Sequence, residues 1–172
     1  MRPAEIDIRQ IEAGDWSTVF RIIAAVAHRG DTFTYERDLD EDAARALWIE
    51  PPPGRTVIAH DDSGTVLGTA KMGRNQRGPG SHVATASVMV APDARGRGVG
   101  RLLGEYALTW ARGAGFRAMQ FNAVVATNSP AVHLWRSLGF TVVGTVPEAF
   151  LHPERGYVDL LVMHRHLAGG SA

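Results

Sequence analysis

The chain has 172 residues, of which 45% are hydrophobic and 21% are charged, and it contains no cysteine. This length and composition predict one folded domain with a sizeable core over residues 1–166, rather than a disordered chain. The lack of cysteine excludes disulfides, thiolate metal sites and cysteine nucleophiles. The 18 basic and 18 acidic residues balance, which disfavours a protein that binds nucleic acid over its whole surface.

The sequence predicts no secretory signal in its first residues and no membrane-spanning segment. Residues 1–11 include Glu5 and Asp7 and lack the apolar segment of a secretory signal. No apolar stretch approaches the ~20 residues that span a bilayer. We therefore expect a cytoplasmic protein without a membrane partner. The closing sequence LAGGSA predicts a flexible tail over residues 167–172.

The first half of the chain is predicted to contain four strands and two helices. In chain order these are a strand at 6–11, a helix that Asp15 caps and that includes 19–26, a helix at 40–49, and strands at 56–60, 65–71 and 83–90. The run Pro51-Pro52-Pro53-Gly54 ends the second helix. The turn Asp61-Asp62-Ser63-Gly64 joins two of the strands as a hairpin.

The second half is predicted to alternate helices and strands. The elements are a helix whose apolar face holds Leu102, Leu103, Tyr106, Ala107 and Trp110, a strand at 119–125, a short helix after Asn128 or Ser129, and strands at 140–146 and 157–163. Gly113 and Gly139 mark the ends of the two helices. The whole pattern predicts an α/β fold, with a mixed sheet and helices on both of its faces.

The most informative segment is APDARGRGVGRLLGEY at residues 91–106, which follows a predicted strand and opens a helix. Glycines let the backbone approach a ligand closely, and the free N–H groups at a helix start point toward an anion. Arginines add charge-assisted hydrogen bonds to phosphate. The segment therefore predicts a phosphate-binding loop. A solvated turn rich in arginine and glycine is the alternative.

Two familiar nucleotide-binding patterns do not fit this loop. The dinucleotide pattern G-x-G-x-x-G is satisfied at Gly98 and Gly100 but meets Leu103 at its third position. The strand that follows also lacks the acidic residue that would bind a ribose. The Walker pattern requires Gly-Lys followed by Ser or Thr, and that tripeptide does not occur in the sequence.

The pattern Arg95-x-x-Gly98-x-Gly100 resembles the pyrophosphate loop of the GNAT superfamily of acetyl-CoA-dependent N-acetyltransferases. A second segment, NSPAVHLWRSLGF at residues 128–140, resembles the N-x-x-A-x-x-L-Y-x-x-x-G-F segment of the same superfamily. The resemblance covers nearly the whole chain. It implies a GNAT fold, with a mixed central sheet of about seven strands that splays between its two central strands. It also implies acetyl-CoA as co-substrate and no metal.

The resemblance further implies which residues hold the cofactor. The glycine loop and its arginines meet the phosphates, and the central strand bonds the pantetheine arm inside the splay. Asn128 is implied to bond the pantetheine; a plain helix cap is the alternative for this residue, and the two roles can coexist. The predicted cofactor-binding residues are Val88, Met89, Val90, Arg95, Gly96, Arg97, Gly98, Val99, Gly100, Arg101 and Asn128.

In the implied reaction, a neutral amine attacks the thioester carbonyl directly. The backbone N–H of Val90 is the expected oxyanion donor. The superfamily usually protonates the leaving thiol with a tyrosine, but that position is Trp135 here, which has no usable proton. Tyr106 and Tyr157 are candidate substitutes, although Tyr106 is expected in the core.

No general base is evident from the sequence. Five side chains are candidates, each weighed against an ordinary solvated or structural role: His82, Glu148, His152, Glu154 and Asp159. A base is dispensable if the acceptor amine has a low pKa or loses its proton to water.

A closer resemblance concerns the acceptor. The segments GSHVATASVMVAPDARGRGVGRLLGE and FRAMQFNAVVATN look like the branch of the superfamily that acetylates azetidine-2-carboxylate and related proline analogues. The resemblance implies that Asn122 holds the substrate carboxylate, with Ala123 beside it. A second asparagine of that branch corresponds to Thr85, which offers a hydroxyl in place of an amide. Hydrogen bonding of Asn122 to neighbouring backbone is the alternative.

The sequence therefore predicts an enzyme that transfers an acetyl group from acetyl-CoA to the amino or imino nitrogen of a small amino acid, in a ternary complex. Azetidine-2-carboxylate or another proline analogue is the expected acceptor, and Phe33, Tyr35 and Phe150 are candidates for an apolar wall around its ring. The alternatives are acetylation of a protein N-terminus, a lysine or an antibiotic, and a catalytically weak CoA-binding sensor. An exposed final strand would support a homodimer.

Overall fold

The computed structural model describes residues 5–167, and its elements follow the predicted order. They are β1 (Ile6–Gln10), α1 (Trp16–Arg29), α2 (Glu41–Trp48), β2 (Arg55–Asp61), β3 (Val66–Arg74), β4 (Val83–Val90), α3 (Val99–Gly113), β5 (Ala118–Val125), α4 (Ser129–Ser137), β6 (Thr141–His152) and β7 (Gly156–His166). Within the described residues, no helix is long and apolar enough to cross a membrane.

The strands form one seven-stranded sheet in the order β1-β2-β3-β4-β5-β7-β6. Strands β4 and β5 run parallel, and every other neighbouring pair is antiparallel. Helix α3 makes the crossover that a parallel pair requires. This sheet confirms the predicted α/β fold class.

Helices cover both faces of the sheet. On one face, α3 and α4 bury Leu103 and Trp135 against Phe121. On the other face, α1 and α2 bury Ile23 and Trp48. Each face therefore excludes water from one apolar layer, which is the main stabilising contribution of such a packing.

The two central strands separate after a short parallel ladder. Pairing between β4 and β5 is limited to Val83 with Ala118 and Ala84 with Met119. Beyond these residues β5 continues to pair only with β7, as far as Val125. The divergence leaves a gap between the carboxyl ends of β4 and β5, which is the splay that the resemblance implies.

Strands β6 and β7 are longer than predicted. The sequence predicted strands at 140–146 and 157–163, whereas the structure has Thr141–His152 and Gly156–His166. The extension contains Pro147, which an edge strand tolerates because one side of its backbone has no ladder partner. The register shifts between Val146 and Phe150, and Glu148 within the bulge has a φ of 52°. Glu148 and His152 therefore lie on a strand and not in a connecting loop.

Two smaller predictions need correction. Asp15 does not cap α1 with its side chain; its carboxylate instead binds Arg9. Leu167, predicted as the start of a flexible tail, is buried in the core, and its N–H donates to the Arg117 carbonyl at 3.0 Å. The rest of that tail, residues 168–172, lies outside the described residues.

Candidate active site

Strand β4 presents unpaired backbone groups to the gap. At one end, the Val83 carbonyl accepts from the Asn75 N–H at 2.8 Å, on the side of β3. At the other end, the Ala91 N–H donates to the Leu67 carbonyl of β3 at 2.9 Å. Alternate residues of an antiparallel strand pair with the same neighbour. The N–H groups of Val88 and Val90 therefore point toward β5, where pairing has already stopped. An extended ligand can bond these groups as an added strand would.

The loop between β4 and α3 has the backbone of an anion site. Gly96 and Gly98 have φ values of 76° and 79°, in the left-handed region that favours glycine. Helix α3 begins at Val99, directly after this turn. Its first N–H groups and the positive end of its dipole therefore face the loop.

The loop, β4 and α4 enclose a groove of about 560 Å³. The predicted cofactor-binding residues that border it are Val88, Met89, Val90, Arg95, Gly96, Gly98, Val99, Gly100, Arg101 and Asn128. The structure does not bring Arg97 to this groove. Its charge instead lowers the pKa of Asp61 in the β2–β3 turn, after the larger effect of the Ser63 hydroxyl.

The groove is also bordered by an arginine outside the loop motif. Arg29, in the last turn of α1, lies at the groove and donates to Asp31 at 2.5 Å. It is far from the glycine loop in the sequence, so the loop motif carries no signal for it. Arg101 donates to Glu105 at 3.0 Å and to Ser137 at 2.7 Å, which holds its guanidinium against α4.

Asn128 lies where the groove meets a second cavity. Its side-chain oxygen accepts a hydrogen bond from the Ala131 N–H at 3.4 Å, so Asn128 caps α4. The amide nitrogen carries two donors that the cap does not use. The position is therefore compatible with both roles considered from the sequence.

The second cavity has a volume of about 240 Å³ and lies in the gap between β4 and β5. We call it the acceptor cavity, after the substrate that the family resemblance predicts beside Asn122. All three predicted substrate residues, Thr85, Asn122 and Ala123, border it, and so does Tyr35. Phe150 does not; it packs separately with Val125 and other residues of the β5–β7 region.

Neutral polar groups dominate the hydrogen-bonding surface of the acceptor cavity. Among the described residues, no charged side chain borders it. The hydroxyls and amides at its wall belong to Thr32, Thr34, Tyr35, Thr85, Ser87, Asn122 and Asn128. Such a wall can bind a carboxylate by hydrogen bonds without a fixed positive partner.

Asn122 is hydrogen-bonded to other side chains instead of the neighbouring backbone. Its Nδ2 donates to Asn75 at 2.6 Å, and its Oδ1 accepts from Gln120 at 2.9 Å. The side chain is exposed at the acceptor cavity. Asn75, which the sequence placed only in a loop, therefore helps to orient the amide.

The three tyrosines of the chain occupy different surroundings. Tyr106 is half-buried against the core, as predicted, and its hydroxyl accepts from Arg55 at 3.0 Å. Tyr157 is largely exposed on β7. Tyr35 borders the acceptor cavity, where burial raises its pKa and the nearby Ser87 hydroxyl partly offsets that rise. The sequence predicted Tyr35 only as part of an apolar wall.

Trp135 forms a shared wall of the groove and the acceptor cavity. Its ring packs on Phe121, with centroids 4.5 Å apart, and on Phe140 at 5.8 Å. An indole at this position supplies shape and no acidic proton. Trp135 therefore cannot protonate the leaving thiol in place of the tyrosine that the superfamily usually has at this position.

The five base candidates from the sequence, all within residues 5–167, border neither the groove nor the acceptor cavity. Asp159 accepts a hydrogen bond from the Glu148 N–H at 2.9 Å, and His152 accepts one from the Glu154 N–H at 3.1 Å. These contacts support the β6 bulge and the β6–β7 turn. In the described part of the chain, no group of three or more His, Asp or Glu side chains could hold a metal ion.

Comparison with known proteins identifies relatives that share the fold of this chain. The profile of the acetyltransferase (GNAT) family matches residues 16–140. A GCN5-related N-acetyltransferase from Kribbella flavida is 53% identical, with a TM-score of 0.92 over 94% of this chain and 98% of that one. YncA of Salmonella typhimurium, whose structure contains its cofactor acetyl-CoA, is 25% identical with a TM-score of 0.82 over 98% of both chains.

Curated relatives carry related names. N-acetyltransferase aca1 of Schizosaccharomyces pombe is 33% identical over 67% of this chain, and the match spans 56% of that protein. The L-amino acid N-acyltransferase MnaT of Escherichia coli is 33% identical over 72% of each chain. The L-methionine sulfoximine/L-methionine sulfone acetyltransferase of Salmonella typhimurium is 29% identical over 93% of this chain and 94% of that protein. The family match, which includes the cofactor loop and α4, shows that the chain belongs to the acetyltransferase (GNAT) family and is an N-acetyltransferase.

Proposed function

We propose that this enzyme transfers the acetyl group of acetyl-CoA to the amino or imino nitrogen of a small amino acid, and that the acceptor class includes proline analogues such as azetidine-2-carboxylate. The observation that carries this proposal is the acceptor cavity, which continues from the groove and has a neutral, hydroxyl- and amide-rich wall. The names of MnaT and of the methionine sulfoximine acetyltransferase support an amino acid or amino acid analogue as acceptor.

The groove residues fit the parts of acetyl-CoA. Arg95 and the first N–H groups of α3 would bind the pyrophosphate, since both favour negative charge at the loop. The free backbone groups of Val88 and Val90 would bond the pantetheine arm, and the spare donors of Asn128 would bond it further along. The thioester then lies where the groove meets the acceptor cavity.

The reaction proposed is a direct transfer within a ternary complex. The neutral acceptor nitrogen attacks the thioester carbonyl carbon, and the carbonyl electron pair moves to the oxygen. The Val90 N–H donates to that oxygen as charge develops on it. After the nitrogen loses a proton, the oxygen electron pair re-forms the carbonyl, the C–S bond breaks, and the thiolate leaves with its electron pair. A thiol of pKa ~8.5 is a tolerable leaving group without a proton donor.

The character of the acceptor follows from the wall. A polycationic antibiotic would need carboxylates around it, and the described residues place none at the acceptor cavity. A small zwitterion needs donors for its carboxylate, which Asn122, Thr85 and Ser87 would supply. The Asn122 amide, oriented by Asn75 and Gln120, is the proposed principal donor.

An acceptor panel tests the proposal. Purified enzyme and acetyl-CoA are mixed with azetidine-2-carboxylate, other proline analogues, methionine sulfoximine, or a peptide with a free N-terminus, and thiol release is followed. Acceptor-dependent release with the small amino acids is expected. Release with the peptide alone would overturn the acceptor class. Acetyl-CoA binding without release from any acceptor would indicate a CoA-binding sensor.

Matched variants test the proposed acetyl-CoA site and the proposed acceptor site separately. Arg95→Ala is expected to raise the KM for acetyl-CoA about tenfold or more, because a charge-assisted bond contributes about 1.5–3 kcal/mol. Arg97→Ala, which changes a neighbouring arginine away from the groove, is the control and should leave that KM unchanged. Asn122→Ala should raise the acceptor KM without weakening acetyl-CoA binding. Asn122→Asp should weaken acceptor binding further, because it places the Asp carboxylate next to the carboxylate of the acceptor.

A further inference from the structure

Glu50 lies two residues after the end of α2, and the sequence predicted no role for it. Its backbone N–H donates to the Thr56 hydroxyl at 3.1 Å, and that hydroxyl donates to the Trp48 carbonyl at 2.8 Å. Thr56 and Trp48 are both buried. The chain at Glu50 is therefore held firmly while its carboxylate projects over the sheet.

Lys71 fixes one oxygen of this carboxylate. The Lys71 ammonium lies 3.4 Å from Glu50 Oε1 and also donates to the Leu47 carbonyl at 2.5 Å. Both side chains are mostly buried, so the pair is less screened than a surface ion pair. No residue in the range 5–167 donates a hydrogen bond to Glu50 Oε2. Lys71 thus orients the carboxylate with one oxygen open to accept a proton.

Gly73 provides the room for the open oxygen. A Cβ on Gly73 would lie 3.0 Å from Glu50 Oε2 and 3.4 Å from its Cδ, and the nearest atoms around that position all belong to Glu50. The glycine therefore sits under the carboxylate. Any side chain at this position would push the carboxylate away.

The strand register brings the carboxylate next to the acceptor cavity. Gly73 pairs with Thr85, and Lys71 pairs with Ser87, in the antiparallel β3–β4 ladder. Directly opposed residues carry their Cβ atoms about 4.5–5.5 Å apart on one face. Thr85 and Ser87 both border the acceptor cavity, so Glu50 lies over the strand position next to its wall. The charge of Glu50 also contributes to the raised pKa of Tyr35, after burial.

The proposed reaction needs a proton acceptor at this place. When the acceptor nitrogen bonds to the carbonyl carbon, it becomes positively charged and still holds a proton. That proton must leave before the C–S bond breaks, or the amine is expelled again. Within the described residues, no charged group borders the acceptor cavity to take it.

We propose that Glu50 accepts this proton through one water molecule, and that Lys71 and Gly73 position its carboxylate for the task. The proton passes from the nitrogen to water, and from water to Glu50 Oε2. The oxygen electron pair then re-forms the carbonyl, and the C–S bond breaks to release the thiolate. The proposal rests on the proposed function, since it assigns a step of that reaction.

The test compares Glu50→Gln with wild type in steady-state kinetics. The expected result is a fall in kcat of about 10²-fold, the usual effect of removing a general base, with the KM for acetyl-CoA unchanged. Glu154→Gln, which alters an exposed carboxylate in the β6–β7 turn, is the matched control. Gly73→Ala keeps the carboxylate but displaces it, so it should lower kcat while the unfolding midpoint stays near wild type.

Chemical rescue separates a proton acceptor from a structural ion pair. Formate should restore part of the activity of Glu50→Ala in a concentration-dependent way. Lys71→Met removes the same ion pair with Glu50 present, and formate should not raise its activity. Two outcomes would overturn the role of Glu50. The first is a wild-type kcat in Glu50→Gln. The second is a Lys71→Met defect as large as that of Glu50→Gln, together with no effect of formate on Glu50→Ala.

Assays with simple amines test the role of Glu50 separately from the proposed acceptor class. The same variants are assayed with hydrazine and glycine ethyl ester beside the amino acids. If wild type acetylates the simple amines and no amino acid, the proposed acceptor class is wrong, while the Glu50→Gln effect still decides the role of Glu50. If wild type acetylates none of these amines, both proposals are overturned.

Discussion

Tyr35 is the tyrosine that borders the acceptor cavity, and its protonation state determines what it can do there. Burial raises its pKa above the ordinary value of 10.0, so the hydroxyl is protonated throughout the neutral range. A protonated phenol donates one hydrogen bond and cannot act as a base. Next to the Ser87 hydroxyl, it therefore fits a donor to the acceptor carboxylate.

Replacing Tyr35 with phenylalanine should raise the acceptor KM by about two- to tenfold, the effect of losing a hydrogen bond that contributes about 0.5–1.5 kcal/mol. The ring and its stacking on Phe33 are retained, so the fold and the KM for acetyl-CoA should not change. Initial rates with each substrate varied in turn measure both constants. Tyr157→Phe is the control on the exposed side of β7. An unaltered acceptor KM in Tyr35→Phe would exclude the phenol from acceptor binding.

At the scale of elements, the contact between α3 and α4 depends on a glycine. A Cβ on Gly104 would lie 2.9 Å from Leu138 and 2.9 Å from the Trp135 ring. The absence of a side chain lets α4 approach α3 closely. This approach sets the position of Trp135, which walls both the groove and the acceptor cavity.

Gly104→Ala should therefore lower both stability and activity. Overpacking costs about 1–3 kcal/mol and outweighs the gain of about 1 kcal/mol in helix propensity. Urea unfolding, monitored by circular dichroism, measures the change in the free energy of unfolding. A lower kcat would report the displacement of Trp135. Gly113→Ala, in the same helix but with open space around its Cβ, is the control and should be neutral or stabilising. A Gly104→Ala protein as stable as wild type would show that α4 can move without cost.

The junction of β1 and α1 depends on an ion pair with a defined pH response. Arg9 makes two hydrogen bonds to the Asp15 carboxylate, at 2.7 and 2.9 Å, and these bonds are the main reason that the pKa of Asp15 is lowered. A carboxylate with a lowered folded-state pKa stabilises the fold above its ordinary pKa. That contribution is lost as the pH falls below about 3.8.

Arg9→Met should reduce the free energy of unfolding at pH 7 by about 1 kcal/mol or less, since the pair is partly exposed. The deficit relative to wild type should persist at pH 5 and be smaller at pH 3, which lies below the ordinary pKa of 3.8. Urea titrations at these three pH values test the trend, with Arg21→Met as an exposed control on α1. A deficit that is independent of pH would assign the effect of Arg9 to packing.

The sequence predicted the order of elements and the glycine loop before α3 because both depend on local patterns. Strand alternation and the family resemblance also singled out Asn122, which borders the acceptor cavity; its role as a carboxylate donor stays a prediction. Arg97 could not be placed, because the direction of a loop side chain depends on the fold around it. The polar role of Tyr35 and the position of Glu50 were missed for a different reason. Each lies in an irregular segment near the end of a helix, and its surroundings depend on the tertiary fold.

At the scale of the whole molecule, the sheet ends on an unusually apolar edge. The edge strand is β6 and not the final strand, because β7 inserts between β5 and β6. Val143, Val146 and Leu151 on β6 are 59%, 46% and 64% exposed, and Tyr157, paired with Leu151, is 68% exposed. Monomeric proteins usually protect an edge strand with charges or a cover. We propose that a second copy of the chain covers this edge.

Sedimentation equilibrium should then give a mass of twice 18.6 kDa. A stable interface buries about 800 Å² on each partner, so a charge at its centre should disrupt it. Leu151→Lys is expected to yield a monomer with an unchanged fold, because the side chain is exposed within one chain. Leu102→Lys, which alters an exposed apolar residue on α3, is the control and should remain a dimer. A wild-type protein that sediments as a monomer at every concentration tested would mean that this apolar edge faces solvent. The acceptor cavity, built within one chain, would then work without a partner.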